Sequence, residues 1–130
     1  MRWRAHERQR SADDISKRLS RVVIENKDFC ALIKSYDRSE SLFFCDPPYV
    51  GTETYYDGFT TDDHVRLKNV LSGIKGKFIL TYNDDPFIRN LYDGYKIDNV
   101  ERNHNLRTRY EKSRYREIII TNYWILTGQV

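Results

Sequence analysis

Cysteine, glycine and proline are all scarce in this chain, and each shortage closes off a class of protein. Of 130 residues only Cys30 and Cys45 are cysteine, and both lie inside apolar segments. A disulfide scaffold or a metal knuckle is thereby excluded, and two buried thiols in a reducing cytoplasm are expected. The six glycines, Gly51, Gly58, Gly73, Gly76, Gly94 and Gly128, form no phosphate-cradling loop. No apolar run approaches the ~18 residues of a membrane helix. Met1 to Arg8 has no apolar stretch of the kind that opens a secretory signal. Ser-His-Asp and Cys-His arrangements are missing too, and His6 and His104 have no Cys or Asp at a metal-ligand spacing.

Neither sign of charge dominates: 22 Lys and Arg face 19 Asp and Glu, a net +3. With 39% apolar and 32% charged residues, the chain suits one folded domain over residues 1–130 rather than a disordered segment. The positive charge is nevertheless concentrated. Residues 1–10 carry four arginines against one glutamate. A second run holds Arg102, Arg107, Arg109, Lys112, Arg114 and Arg116, with Glu111 as its only acid. Asn103, His104, Asn105, Tyr110 and Tyr115 are interleaved with it, and no apolar period runs through it. Basic and aromatic side chains mixed on a loop suit a nucleic-acid backbone. A solvated loop without a partner explains the charge alone equally well.

The periodicities predict the frame. Ser11 is expected to cap a helix through Leu19, with Asp13 and Asp14 in its first turn. Val22 to Glu25 is a short β-branched run. Asn26 is expected to cap a helix from Lys27 to Tyr36, where Phe29, Leu32, Ile33 and Tyr36 recur at helical spacing. Leu42-Phe43-Phe44-Cys45 is too short for a helix and reads as a strand buried on both faces, the habit of parallel sheets. Thr60 or Thr61 opens a further helix, with Asp62 and Asp63 in its first turn and His64 as a helix-start residue interacting locally. Strands are predicted at Lys77 to Tyr82, Tyr95 to Glu101 and Tyr115 to Tyr123, with a short helix from Phe87 to Tyr92 opened by Pro86. The order predicts an α/β fold: a mostly parallel sheet whose last two strands pair antiparallel.

Asp46-Pro47-Pro48-Tyr49 follows the most apolar strand directly. Ligands of open α/β sheets bind beyond the carboxyl ends of the strands, and Asp46 stands at that place. Two prolines stiffen the loop and donate no amide, so their carbonyls remain as fixed acceptors. Tyr49 adds a flat ring with a polar tip. Two acceptors and an aromatic platform suit a planar ligand with an amino group, such as a nucleobase edge. A strand-ending acid in a Pro-Pro turn, with Tyr49 merely packing, is the alternative. Asn83-Asp84-Asp85 closes a strand at the same edge; it either lines the pocket or serves as a turn and cap.

These residues resemble a family. Asp46-Pro47-Pro48-Tyr49 is similar to the catalytic motif of amino-group DNA methyltransferases, and the surroundings resemble the Dam-like adenine-specific group. Tyr55-Tyr56 with Phe59 to His64, Phe78 to Asn83, and Glu117 to Tyr123 resemble its successive motifs, over about residues 15–124 in all. The resemblance implies a partial Rossmann-like methyltransferase sheet, S-adenosylmethionine as cofactor, DNA as partner, no metal, and methylation of adenine N6, as in restriction-modification systems. Asp46 and the Pro47 carbonyl would hold the amino group, Pro48 would stiffen the loop, and Tyr49 would stack on a flipped base. Asp46 would also lie near the methionine part of the cofactor. Arg102, Arg107, Arg109, Lys112 and Arg114 would contact DNA.

The departure is equally informative. Such enzymes hold the cofactor on a Phe-x-Gly-x-Gly type loop, and none of the six glycines makes that pattern. Only 45 residues precede Asp46, so the chain resembles the C-terminal, catalytic-motif half of such a domain. Truncation, inactivity alone and a complementing chain that carries the cofactor loop are the corresponding expectations. A non-catalytic nucleic-acid-binding or oligomerising remnant is the alternative. The Leu42 to Cys45 strand would lack a neighbour on one side, so a homo-oligomer is expected.

Overall fold

Eight elements are described in the computed structural model: α1 (Ala5–Leu19), α2 (Phe29–Tyr36), β1 (Leu42–Cys45), α3 (Thr61–Ser72), β2 (Lys77–Asn83), α4 (Pro86–Leu91), β3 (Lys96–Glu101) and β4 (Arg116–Thr121). The structure describes residues 5–52, 58–101 and 116–124, and the side chains of 11–52, 58–100 and 116–124. Tyr55, Tyr56 and the basic run from Arg102 to Tyr115 lie outside the described residues.

Period-two alternation organises the sheet. In β2, Phe78, Leu80 and Tyr82 are fully buried, whereas Lys77, Ile79, Thr81 and Asn83 take the opposite face. Antiparallel pairing sets Leu80 against Ile120 and Tyr82 against Ile118, so β4 adds two more buried side chains to the same face. On the other flank β1 runs parallel to β2, Cys45 opposite Leu80. The order is β1-β2-β4-β3, with β3 antiparallel to β4. Three strands therefore point one way and β4 is reversed. The antiparallel pairing of the last two strands is as expected, but with β4 inserted between β2 and β3 only one of the three pairings is parallel, and the sheet is mixed rather than mostly parallel.

Helices cover the face that Phe78, Leu80 and Tyr82 share. Ile33 of α2, Leu67 and Leu71 of α3, Ile88 of α4 and the following Tyr92 complete one core with the strands. Burying each such side chain contributes roughly 1.5–3 kcal/mol. Thr60 caps α3 in a reciprocal box: its hydroxyl accepts from the Asp63 amide while the Asp63 carboxylate accepts from the Thr60 amide. Asp85 caps α4, with Pro86 in the first turn. Between α3 and β2 the chain passes so close to Ser41 that a Cβ on Gly76 would lie 2.5 Å from the Ser41 carbonyl oxygen.

Several local expectations are corrected. Helix α1 starts at Ala5, so Ser11 lies inside it rather than capping it; the Ala, Glu, Arg and Gln residues before Ser11 favour helix and carry it backward. Asp28, not Asn26, caps α2: its carboxylate accepts from the amides of Cys30 and Ala31 and also binds Arg66 at 2.8 Å. Val22, Val23 and Ile24 join no strand, and Ile24 is 78% exposed. Strand β1 is not buried on both faces. Phe43 and Cys45 pack on the core, but Leu42 and Phe44 are exposed, because β1 is a sheet edge and no described helix covers that face.

Candidate active site

The acceptor loop leaves the sheet where β1 ends. Parallel pairing of β1 with β2 brings Asp46 beside Thr81, whose hydroxyl donates to Asp46 Oδ1 at 2.6 Å. Two residues along β2, on the same face, Asn83 binds the Val50 backbone in both directions. Its Oδ1 accepts from the Val50 amide and its Nδ2 donates to the Val50 carbonyl, each at 3.1 Å. Gly51 then takes φ +89°, a left-handed turn that glycine enters without strain. The turn returns Thr52 onto Tyr49, where its hydroxyl donates to the Tyr49 carbonyl at 2.6 Å. Four residues, Asp46 to Tyr49, are thus bracketed by fixed points.

Asp46, Pro47, Pro48, Tyr49 and Thr52 line a cleft of about 360 Å³, at the small end of the roughly 300–1,000 Å³ of ligand pockets. Pro47 and Pro48 have no amide, so the polar groups they bring to the cleft are carbonyl acceptors alone. Tyr49 is half-buried. Its ring is tilted 6.5 Å from that of Tyr82, and its hydroxyl donates to Glu117 of β4 at 3.3 Å. Tyr49 therefore both packs and lines the cleft, so the two readings of it are not exclusive.

A second groove, apolar and about 280 Å³, shares Asp46 and Pro47 with the cleft and is walled by Phe29, Phe43, Phe44, Phe59 and Leu67 among others. Cys45 borders it, and burial pushes that thiol up to about 11. It is therefore held as the neutral thiol at neutral pH. A third, polar hollow contains Asp84, Arg89, Asn99, Arg116 and Glu117. Arg89 binds Asp84 at 2.5 Å and Asn99 at 2.6 Å, and its hydrogen bond holds the Asp84 carboxyl below the usual carboxylate range. The basic run leaves the sheet at Glu101 and re-enters it opposite, at Arg116. Both points stand at the edge where β1 and β2 end.

His64 is not a local helix-start residue. It is 1% exposed, its Nδ1 lies 2.6 Å from the Tyr82 hydroxyl, and the rings of Phe59, Tyr82 and Phe87 surround it. Its place is structural, among these rings, and it does not line the cleft. The described residues include no group of His, Cys, Asp and Glu able to hold a metal. Sequence reasoning missed Thr81 altogether and left Asn83 open between pocket and turn. Strand alternation, which sets the two on one face two residues apart, was the signal.

The site is an acid and two prolines at the carboxyl edge of an α/β sheet, beside an aromatic ring, the motif that resembles that of the amino-group methyltransferase class. Comparison of the sequence narrows the class. The family described as D12 class N6 adenine-specific DNA methyltransferase matches residues 1–106, and the chain belongs to that family. The match ends before β4. The chain is also similar to the Type II methyltransferase M.CviBI of Paramecium bursaria Chlorella virus NC1A, 36% identical over 100 residues, which are 75% of this chain and 34% of that protein. It spans about a third of the length of the curated relative it matches.

Proposed function

We propose that this chain is the catalytic-motif half of an adenine-N6 DNA methyltransferase domain. The observation that carries the reading is the bracketed Asp46–Tyr49 loop, whose carboxylate and proline residues line a cleft with room for a nucleobase. Asp46 and the Pro47 carbonyl accept the two N–H groups of the amino nitrogen. This draws its lone pair out of conjugation with the ring and stabilises the positive charge that develops there. Pro48 keeps the loop stiff, and Tyr49 stacks on a base turned out of the duplex.

S-adenosylmethionine, which the family generally uses, fits the described residues only in part. The apolar groove beside Asp46 offers a wall of aromatic side chains, whereas the sequence has no Gly-x-Gly loop for the charged methionine end. We therefore expect no measurable cofactor binding by the isolated chain in titration calorimetry, and micromolar binding would show that such a loop is dispensable. DNA is the expected partner, and the exit and return of the basic run at the cleft's edge of the sheet support phosphate contacts by Arg102, Arg107, Arg109, Lys112 and Arg114. The open edge of β1, with Phe44 68% exposed, supports association with a second copy or with a complementing chain that carries the cofactor loop. A monomer by light scattering would remove the self-association. A cytoplasmic location belongs to the same reading; no helix among the described residues is long and apolar enough to cross a membrane.

The test is a chimera in which this chain replaces the matching 100 residues of M.CviBI. Methyl transfer to DNA should be measurable, should vanish with Asp46→Ala, and should weaken by about 1–3 kcal/mol with Tyr49→Ala as stacking is removed. Normal turnover by Asp46→Ala would sink the assignment.

A further inference from the structure

We propose that Thr81 is a positioning residue for the acceptor carboxylate: its hydroxyl holds Oδ1 of Asp46 and leaves Oδ2 to receive the substrate amino group. The argument starts from register. Cys45 pairs with Leu80, so the next step along the two parallel strands sets Asp46 beside Thr81. Alternation turns Leu80 and Tyr82 into the core and Thr81 to the other face. A β-branched side chain on a strand has few χ1 states, so the hydroxyl is already near its working place before any ligand arrives. It has one proton to give and two acceptors in range, Asp46 Oδ1 at 2.6 Å and the Cys45 carbonyl at 3.4 Å. The nearer and charged acceptor takes it.

The consequence concerns aim. Asp46 is exposed and follows a strand end, where an unassisted side chain samples more than one χ1 rotamer and carries its carboxylate with it. Among the described residues only Thr81 donates to it, and only to Oδ1. One oxygen is thereby tied to β2, and the other remains for the cleft. Asn83 acts differently, because it grips the main chain at Val50 rather than the carboxylate. Thr81 aims the charge, and Asn83 holds the loop that bears it. The catalytic part of this inference rests on the methyl-transfer reading; the hydrogen bond itself does not.

The test separates the two. In the 130-residue chain, NMR couplings across χ1 of Asp46 should report a single rotamer. Thr81→Val keeps the shape but removes the donor, and should average those couplings; Thr81→Ser should restore the single rotamer. In the active chimera Thr81→Val should lower kcat by about ten- to a hundredfold, with KM for DNA little changed and with rescue by serine. Averaged Asp46 couplings in the unaltered chain would overturn the proposal, whether or not the valine variant folds. So would a single Asp46 rotamer, or an unchanged kcat, in Thr81→Val. An averaged Asp46 in the variant beside an unaltered chimera that transfers no methyl would uphold the hydrogen bond and refute the methyl-transfer reading.

Discussion

Replacing Asn83 by alanine removes two hydrogen bonds at once, from the amide and to the carbonyl of Val50, both 3.1 Å long and partly buried. Each has a net value of roughly 0.5–1.5 kcal/mol. Opening of the acceptor loop should therefore become easier by about 1–3 kcal/mol, or about 5- to 150-fold in its equilibrium. The effect should stay local. Asn83 lies at the end of β2, outside the Phe78, Leu80 and Tyr82 face, and the freed Val50 groups can turn to water once the loop lifts. Amide hydrogen exchange should then show Val50 less protected by that factor, while Leu80 and Ile118, deep in the sheet, keep their protection. Asn83→Asp retains an acceptor for the Val50 amide but sets a carboxylate against the Val50 carbonyl, so it should be at least as disruptive. Unchanged protection of Val50 in the alanine variant would refute the idea that β2 clamps the loop.

Gly76→Ala should destabilise the fold by about 1–3 kcal/mol in urea denaturation, because its Cβ meets the carbonyl oxygens of Ser41 and Arg38 at 2.5 and 2.8 Å; an unchanged midpoint would contradict that close approach. Asp37 accepts hydrogen bonds from the Lys75 and Gly76 amides, which hold its carboxyl below its ordinary value of 3.8. A lowered folded-state value stabilises fully above 3.8 and forfeits that contribution as pH falls through it, so the acid-side fall of Tm should flatten in Asp37→Asn. Equal slopes would show that these hydrogen bonds carry no linkage. Alanine at Arg102, Arg107, Arg109 and Arg114 should reduce the log–log salt slope of duplex binding by about 0.9 for each phosphate that is no longer neutralised. The same affinity and slope would make the run a solvated loop.

Local chemistry was the most legible part of the chain. The α3 cap at Thr60, the Asp85-Pro86 start of α4 and the buried alternation of β2 each depend on neighbours within a few residues, and each is where the pattern puts it. Apart from the Ser11 cap, overrun by the helix formers just before it, what failed depends on residues distant along the chain. His64 reads as part of its own helix because nothing nearby announces Tyr82, 18 residues on. Asp28 prevails over Asn26 as the α2 cap partly because Arg66 binds it from α3. Phe44 reads as buried by composition, yet burial on a second face needs a covering layer that the described residues do not include. The Asp-Pro-Pro-Tyr loop was visible as a motif, but the means of holding it, Thr81 and Asn83, became visible only when the strands were set in register.

The central claim, that the Asp46 loop presents an amino nitrogen of adenine for methylation, is tested most directly by nucleoside mass spectrometry of DNA treated with the M.CviBI chimera and S-adenosylmethionine. The account predicts N6-methyladenine as the new nucleoside, absent when Asp46 is alanine. Methylated cytosine in its place, or N6-methyladenine that persists in Asp46→Ala, would contradict it.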